Sequence, residues 1–224
     1  MSTERTRAIV LRRTNYGEAD RVLQLLTPEG RRSVMARGVR KEKSKLAGGI
    51  ELFAVSDIVI NRGKGELGIL TSARLVQFYR HILEDYDAMQ FAYEAVKLVA
   101  RATETVDEPE WYGVLQEVLM GLDAPSVGRQ LVETWFYLRY AALLGREFSL
   151  VNDISGTKLD PDKRYAYDVG EQGLREAPNG EITGDHIKLL RLISVKSLKV
   201  LAQIGGIERI LPDCWMVARQ HAAV

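Results

Sequence analysis

Residues 21–39 read RVLQLLTPEGRRSVMARGV. The run RVLQLL is apolar and partly alternating, and Thr27-Pro28-Glu29-Gly30 is strong turn chemistry. The residues from Ser33 to Val39 then place Val34 and Ala36 on one side of a second extended run. Strand, tight turn and strand make a hairpin. The same grain continues outward from it. Residues 8–11 are a short apolar run bounded by arginines. Residues 53–60, FAVSDIVI, alternate so that Phe53, Val55, Asp57 and Val59 share a side, which points to one buried side. Arg62-Gly63-Lys64-Gly65 reads as a hairpin turn, and residues 67–76 supply the last strand material. Five short strands with Gly-rich turns and no long helix predict a small closed β-barrel over residues 1–80. Five is also the strand count of an OB-fold.

After residue 80 the period changes. Residues 87–103 bring Met89, Ala92, Val96 and Val99 close to one helical face. Residues 110–122 read as a second helix, introduced by Asp107-Glu108-Pro109. Residues 125–144 predict a third, strongly apolar helix that stops at Gly145. Residues 146–183, with two prolines and four glycines, predict loops or short strands. Residues 185–204 predict one long amphipathic helix ending at Gly205-Gly206. The expected organisation is α+β, with a strand-built domain over 1–80 and a helical domain over 81–224 that carries the insert 146–183.

The whole chain of 224 residues has a formal net charge of only +1, which conceals an asymmetry. Residues 1–80 hold 16 Lys and Arg against 8 Asp and Glu, whereas residues 81–224 hold 15 against 22. Residues 31–45, RRSVMARGVRKEKSK, carry Arg31, Arg32, Arg37, Arg40, Lys41, Lys43 and Lys45 against Glu42 alone. Such a run neutralises phosphates with release of counterions, or else it is a solvated loop kept charged for solubility. Tyr16, Phe53, Phe78 and Tyr79 are nearby aromatics that either stack on bases or pack into a core.

Other chemistries are poorly represented. Cys214 is the single cysteine, which excludes an internal disulfide or a thiolate zinc site with two or more Cys. It reads as a small buried residue. His81, His186 and His221 have no metal-ligand spacing, and no nucleophile elbow, P-loop or zincin helix is present. Glu84 with Asp85, and Asp160 with Asp162, are turn residues before they are metal ligands. No catalytic residue, metal or cofactor is expected. No run of ~20 apolar residues spans a bilayer and no secretory leader is evident, so the expectation is a cytoplasmic protein without a membrane partner. Lys188, Arg191, Lys196 and Lys199 on the last leucine-rich helix are either its solvated face or a groove for an acidic partner peptide.

The N-terminal half resembles the RecO family of bacterial recombination mediators. The blocks that carry the resemblance are Ala8-Ile9-Val10-Leu11-Arg12-Arg13, Tyr16-Gly17-Glu18-Ala19-Asp20-Arg21 and Leu25-Leu26-Thr27-Pro28-Glu29-Gly30-Arg31. Ala36-Arg37-Gly38-Val39-Arg40-Lys41 and Ser44-Lys45-Leu46 continue them, and residues 136–145, FYLRYAALLG, match the family's helical domain more loosely. The resemblance implies an N-terminal five-stranded OB-fold β-barrel followed by an all-α domain. It also implies binding of single- and double-stranded DNA, strand annealing, and work with RecR to load RecA onto DNA coated by single-strand-binding protein, whose C-terminal tail would be a partner. Such a protein is cytoplasmic and nucleoid-associated, and not an enzyme. By resemblance the DNA-binding role falls on the cations of residues 31–45, and on Arg12, Arg13 and Arg21. Many relatives place two Cys-x-x-Cys pairs in the insert to hold zinc, whereas this chain has no Cys there. Its zinc-ribbon-like region must therefore be held by packing, with Tyr165, Tyr167 and Leu174 as candidates. The competing reading is an adaptor whose helical half binds proteins, with the barrel as docking platform. A metal-dependent nuclease is disfavoured by the lack of a carboxylate cluster.

Overall fold

The computed structural model describes residues 2–63, 65, 67–106 and 108–223. The chain forms two compact units, Met1–Asp123 and Ala124–Val224. Strands β1 (Ser2–Tyr16), β2 (Asp20–Thr27), β3 (Gly30–Ala36), β4 (Ala54–Arg62) and β5 (Gly68–Phe78) lie in the first unit. They close into a barrel in the order β1-β2-β3-β5-β4. β1 is long enough to serve two neighbours. Its residues from Ser2 to Ile9 pair with β4, and those from Ile9 to Tyr16 pair with β2. A bulge between Val10 and Arg12 lets one strand turn this corner. A short parallel pairing, Val34 with Gly68 and Met35 with Ile69, completes the closure. Gly68 is required there, since a Cβ would meet the Ile60 side chain at 2.6 Å.

The interior is filled by Ala8, Val10, Leu23, Leu25, Val34, Ala36, Ile58, Ile60 and Leu70, with Val39 and Ile50 packed onto the same cluster. Burial of each large aliphatic side chain among these contributes about 1.5–3 kcal/mol. The inward side of β4 is thus Ile58 and Ile60, not the side of Val55, Asp57 and Val59. Val55 is buried all the same, because the outward side of the barrel is itself covered at Ile9, Leu26 and Val55. The cover comes from helices α1 (Tyr86–Ala102) and α2 (Glu110–Asp123), which contact β1 and β2 respectively. Phe53 stacks edge-on against Tyr93 of α1 with ring centroids 4.8 Å apart. The change from strand to helix does fall near residue 80, yet the first compact unit runs on to Asp123 because these two helices shield apolar barrel surface. The turn reading at Lys64 and the helix-start reading at Asp107 lie outside the described residues.

In the second unit α3 (Arg129–Leu143) is almost wholly buried and packs on α4 (Gly184–Val195) and α6 (Leu211–Ala222). Gly145, at φ +71°, ends α3 as expected, with Arg146 N donating to Ala141 O and Gly145 N to Ala142 O. The helix expected over 185–204 is two helices. α4 stops at Val195, Lys196 is extended, and α5 (Leu198–Leu201) restarts after Ser197. The Trp135 indole N–H donates to Lys196 O at 2.9 Å, drawing that carbonyl out of the helical ladder.

The insert contains a hairpin, β6 (Tyr165–Asp168) with β7 (Gly173–Glu176). Tyr165 and Leu174 are buried, Tyr165 exchanges backbone bonds with Ile182, and its hydroxyl accepts from Asp160 N. Tyr167 donates to His221 of α6 at 2.7 Å. Among the described residues no group of three His, Cys, Asp or Glu side chains is placed to hold a metal ion.

Candidate nucleic-acid interface

Three linked segments shape one rim of the barrel. β1 ends at Tyr16, the turn at Gly17 takes φ +56°, and β2 begins at Asp20. The chain leaving β3 at Ala36 turns back onto this loop. Gly38, at φ +63°, donates its N–H to Asp20 Oδ1 at 2.7 Å. Arg40 N donates to Ala19 O at 2.9 Å, and the Arg40 guanidinium donates to Gly17 O at 3.1 Å. Arg21 lies in register between Asn15 and Ala36, with its Nε donating to Asn15 Oδ1 at 3.1 Å. The β1–β2 turn and residues 37–41 therefore form one braced surface carrying Arg21, Arg37, Arg40 and Lys41.

Tyr16 stands on that rim with 60% of its surface exposed, a flat amphipathic ring among guanidinium groups. Arg37, Lys41, Lys43 and Lys45 are exposed and have no ion-pair partner among the described residues. The Asp20 carboxylate is occupied by the Gly38 N–H, so its charge braces the loop. Glu18, Glu42 and Glu51 are the other carboxylates of these segments.

The remaining cations are placed differently. Arg12 is exposed, in register with Gln24 and through it Ser33, on the outward side of the same three strands. Arg13 points the other way at the barrel mouth and donates to Ile50 O and Glu51 at 3.4 Å. Arg31 and Arg32 lie at the start of β3, six and five residues from Arg37. At the rise of an extended strand this is about 20 Å from the rim. There Arg31 meets Glu104 at 3.6 Å. Arg32 meets Glu4 at 3.0 Å, with Arg62 on the other oxygen of Glu4 at 2.7 Å. The Thr6 hydroxyl donates to Glu29 at 2.7 Å and holds its carboxyl below the ordinary range. The run 31–45 is continuous in sequence but split between two ends of the barrel, because β3 carries it from one end to the other.

Of the four aromatics considered, Phe53 and Tyr79 are core residues, whereas Tyr16 and Phe78 are exposed. The bracing roles of Asn15, Asp20 and Gly38 escape a reading of the sequence, which has only Gly17 and Gly38 as turn signals. Lys188, Arg191, Lys196 and Lys199 do not form a stripe on one helix. Lys188 pairs with Asp185 at 3.0 Å, Arg191 donates to Leu150 O at 2.6 Å, and the break in the helix separates Lys196 and Lys199 from them. The acidic pairs serve the backbone. Asp85 accepts from Ala88 N as the cap of α1, and Asp160 accepts from Asp162 N. Cys214 is fully buried, and burial pushes its thiol up to about 12.

No described helix is long and apolar enough to cross a membrane. Residues 1–79 match the family model "Recombination protein O N terminal". The chain is 38% identical over 121 residues to the DNA repair protein RecO of Roseiflexus sp. strain RS-1, covering 54% of this chain and 42% of that protein. It is 29% identical over 179 residues to the DNA repair protein RecO of Rubrobacter xylanophilus, covering 80% and 68% respectively. With the protein of the same name from Syntrophomonas wolfei it shares 29% over 208 residues, covering 92% and 82%. Against the Roseiflexus protein, and against RecO proteins of Dehalococcoides mccartyi that it also matches, the chain spans about half the relative's length. Of the blocks singled out in the sequence, those from Ala8 to Leu46 lie within the barrel and its braced rim, whereas residues 136–145 lie at the end of α3, and over its N-terminal part the chain is similar to DNA repair proteins named RecO.

Proposed function

We propose that this chain is a DNA-binding repair and recombination mediator whose barrel is an OB-fold and whose rim holds the sugar–phosphate backbone. The observation that carries this reading is the bracing of Arg21, Arg37, Arg40 and Lys41 beside exposed Tyr16. Cations on a groove neutralise phosphates, while an aromatic ring stacks on bases of any sequence. The site belongs to residues 1–80, and in it Lys43 and Lys45 extend the track while Arg12 flanks it. Arg31 and Arg32 contribute less, being engaged in ion pairs at the far end. The same surface accepts single- or double-stranded DNA, since it contacts backbone. Holding two strands against their mutual repulsion promotes annealing without a catalytic step. Similarity to RecO proteins supports action with RecR on DNA coated by single-strand-binding protein, and RecA loading as the outcome, in the cytoplasm.

The test is single-strand binding over a salt series. Log affinity falls linearly with log salt for the wild type, and Arg37→Ala/Arg40→Ala/Lys41→Ala lowers both affinity and slope by about one unit of slope per cation removed. The loss is the same for all base sequences. A slope near zero, or a loss confined to one sequence, overturns the reading.

A further inference from the structure

The barrel carries a second exposed basic surface, on the outward side of β1, β4 and β5. Its rows follow from the pairing registers: Arg5 beside Val59 and Ser72, then Arg7 beside Asp57 and Arg74. Arg5 is exposed, and the Arg7 and Arg74 side chains keep 58% and 80% of their surface. Among the described residues Asp57 is the one carboxylate of these rows, held by Arg74 at 2.7 Å and Arg7 at 3.5 Å. One anion against three cations leaves the surface positive.

We infer that this face is a phosphate-backbone track for a second nucleic-acid strand, separate from the rim. The inference rests on the rim reading and deepens it. Separation follows from β1 itself: Arg7 and Tyr16 are nine residues apart, on segments paired to different neighbours. At ~3.3 Å per residue the path along β1 between them is about 30 Å. The occupant is chosen by chemistry. A protein interface has an apolar centre, whereas these rows offer arginines, Ser72 and the half-exposed Val59. Arg5 and Arg7 are two residues apart on one side of a strand, about 6.6 Å, so they offer neighbouring positive charges along one line.

The experiment uses the full chain and two non-complementary oligothymidine strands, one carrying a donor dye and the other an acceptor. Wild type is expected to hold both, giving energy transfer. Arg5→Ala/Arg7→Ala/Arg74→Ala keeps first-strand affinity within about twofold and weakens the second strand roughly tenfold. Asp57→Asn removes the competing anion and tightens the second strand about threefold, a gain that misfolding cannot imitate. Unchanged second-strand binding in both variants overturns the inference. So does a polyglutamate peptide that displaces the second strand while a third oligonucleotide does not, because the face then selects an acidic protein. If wild type takes one strand and never a second, this inference fails and the rim reading stands. If it takes none, the rim reading fails first.

Discussion

Tyr16 owes its exposure to its place at the end of β1, where the strand turns at Gly17 and no helix covers it. An exposed aromatic ring gains little from folding, so substituting it costs little stability. Stacking on a base is worth about 1–3 kcal/mol by alanine substitution. Tyr16→Ala is therefore expected to weaken single-strand binding roughly 5- to 100-fold with an unchanged melting temperature. Tyr16→Phe should bind as wild type, since the hydroxyl has no part in stacking; titration by fluorescence anisotropy checks both. His221 shows the opposite situation. It is buried, its Nε2 donates to Arg146 O, and its Nδ1 accepts from the Tyr167 hydroxyl at 2.7 Å. Burial holds the imidazole below its ordinary value and pushes the Tyr167 phenol up to about 12, so both stay neutral. A histidine with a lowered folded pKa binds fewer protons native than unfolded. Its contribution is whole above the unfolded value of about 6.5 and is lost as the pH falls below it. Denaturant midpoints measured from pH 7.5 to 5 should fall more steeply for wild type than for His221→Gln. Parallel curves would remove His221 as the cause.

At the scale of elements, legibility followed local pattern and failed where tertiary contact decides. The five strands and α1 to α3 were visible in alternation, helical spacing and turn residues. Residues 2–7 were not readable as strand, because their inward positions are Glu4 and Thr6. These are satisfied at the barrel end by Arg32, Arg62 and Glu29 rather than by apolar packing. α6 passed unread, although Leu211, Cys214, Val217, Ala218 and His221 have helical spacing and Pro212 sits in the first turn. The break between α4 and α5 has no local signal, since the Trp135 indole 61 residues away creates it. Of the site, the cations and Tyr16 were legible, but not the split of residues 31–45, because a charge run carries no sign that a strand spans it. Trp135→Phe keeps an aromatic six-membered ring but removes the five-membered ring that carries the N–H. Leaving Lys196 O without its donor is expected to cost about 1–3 kcal/mol by chemical denaturation, in addition to the packing lost with the smaller side chain. A cost near zero would mean that the break is set by the Ser194–Ser197 segment itself.

For the molecule as a whole, charge is divided within the first compact unit and not between two halves of the chain. Residues 81–123 contain two Lys and Arg against ten Asp and Glu, which offsets the excess of basic residues in the barrel that they pack upon. The residues of the second unit are nearly balanced, with 13 basic and 12 acidic. A nucleic acid approaching the first unit therefore meets a bipolar surface, attractive on the barrel and repulsive on α1 and α2. On the proposed function, the repulsive side is expected to confine the polyanion to the cationic strands and to weaken total binding through the long-range field. Glu108 and Glu110 are exposed at the start of α2 and have no ion-pair partner among the described residues. Their effect on bound DNA is screened beyond a Debye length, about 10 Å at 0.1 M salt and 30 Å at 0.01 M. Glu108→Gln/Glu110→Gln should tighten single-strand binding about twofold at 0.01 M salt and leave it unchanged at 0.3 M. Affinity measured at both ionic strengths decides the matter. A gain that survives high salt would place DNA in contact with α2, and no gain at low salt would mean that the acidic helices do not shape the field at the rim.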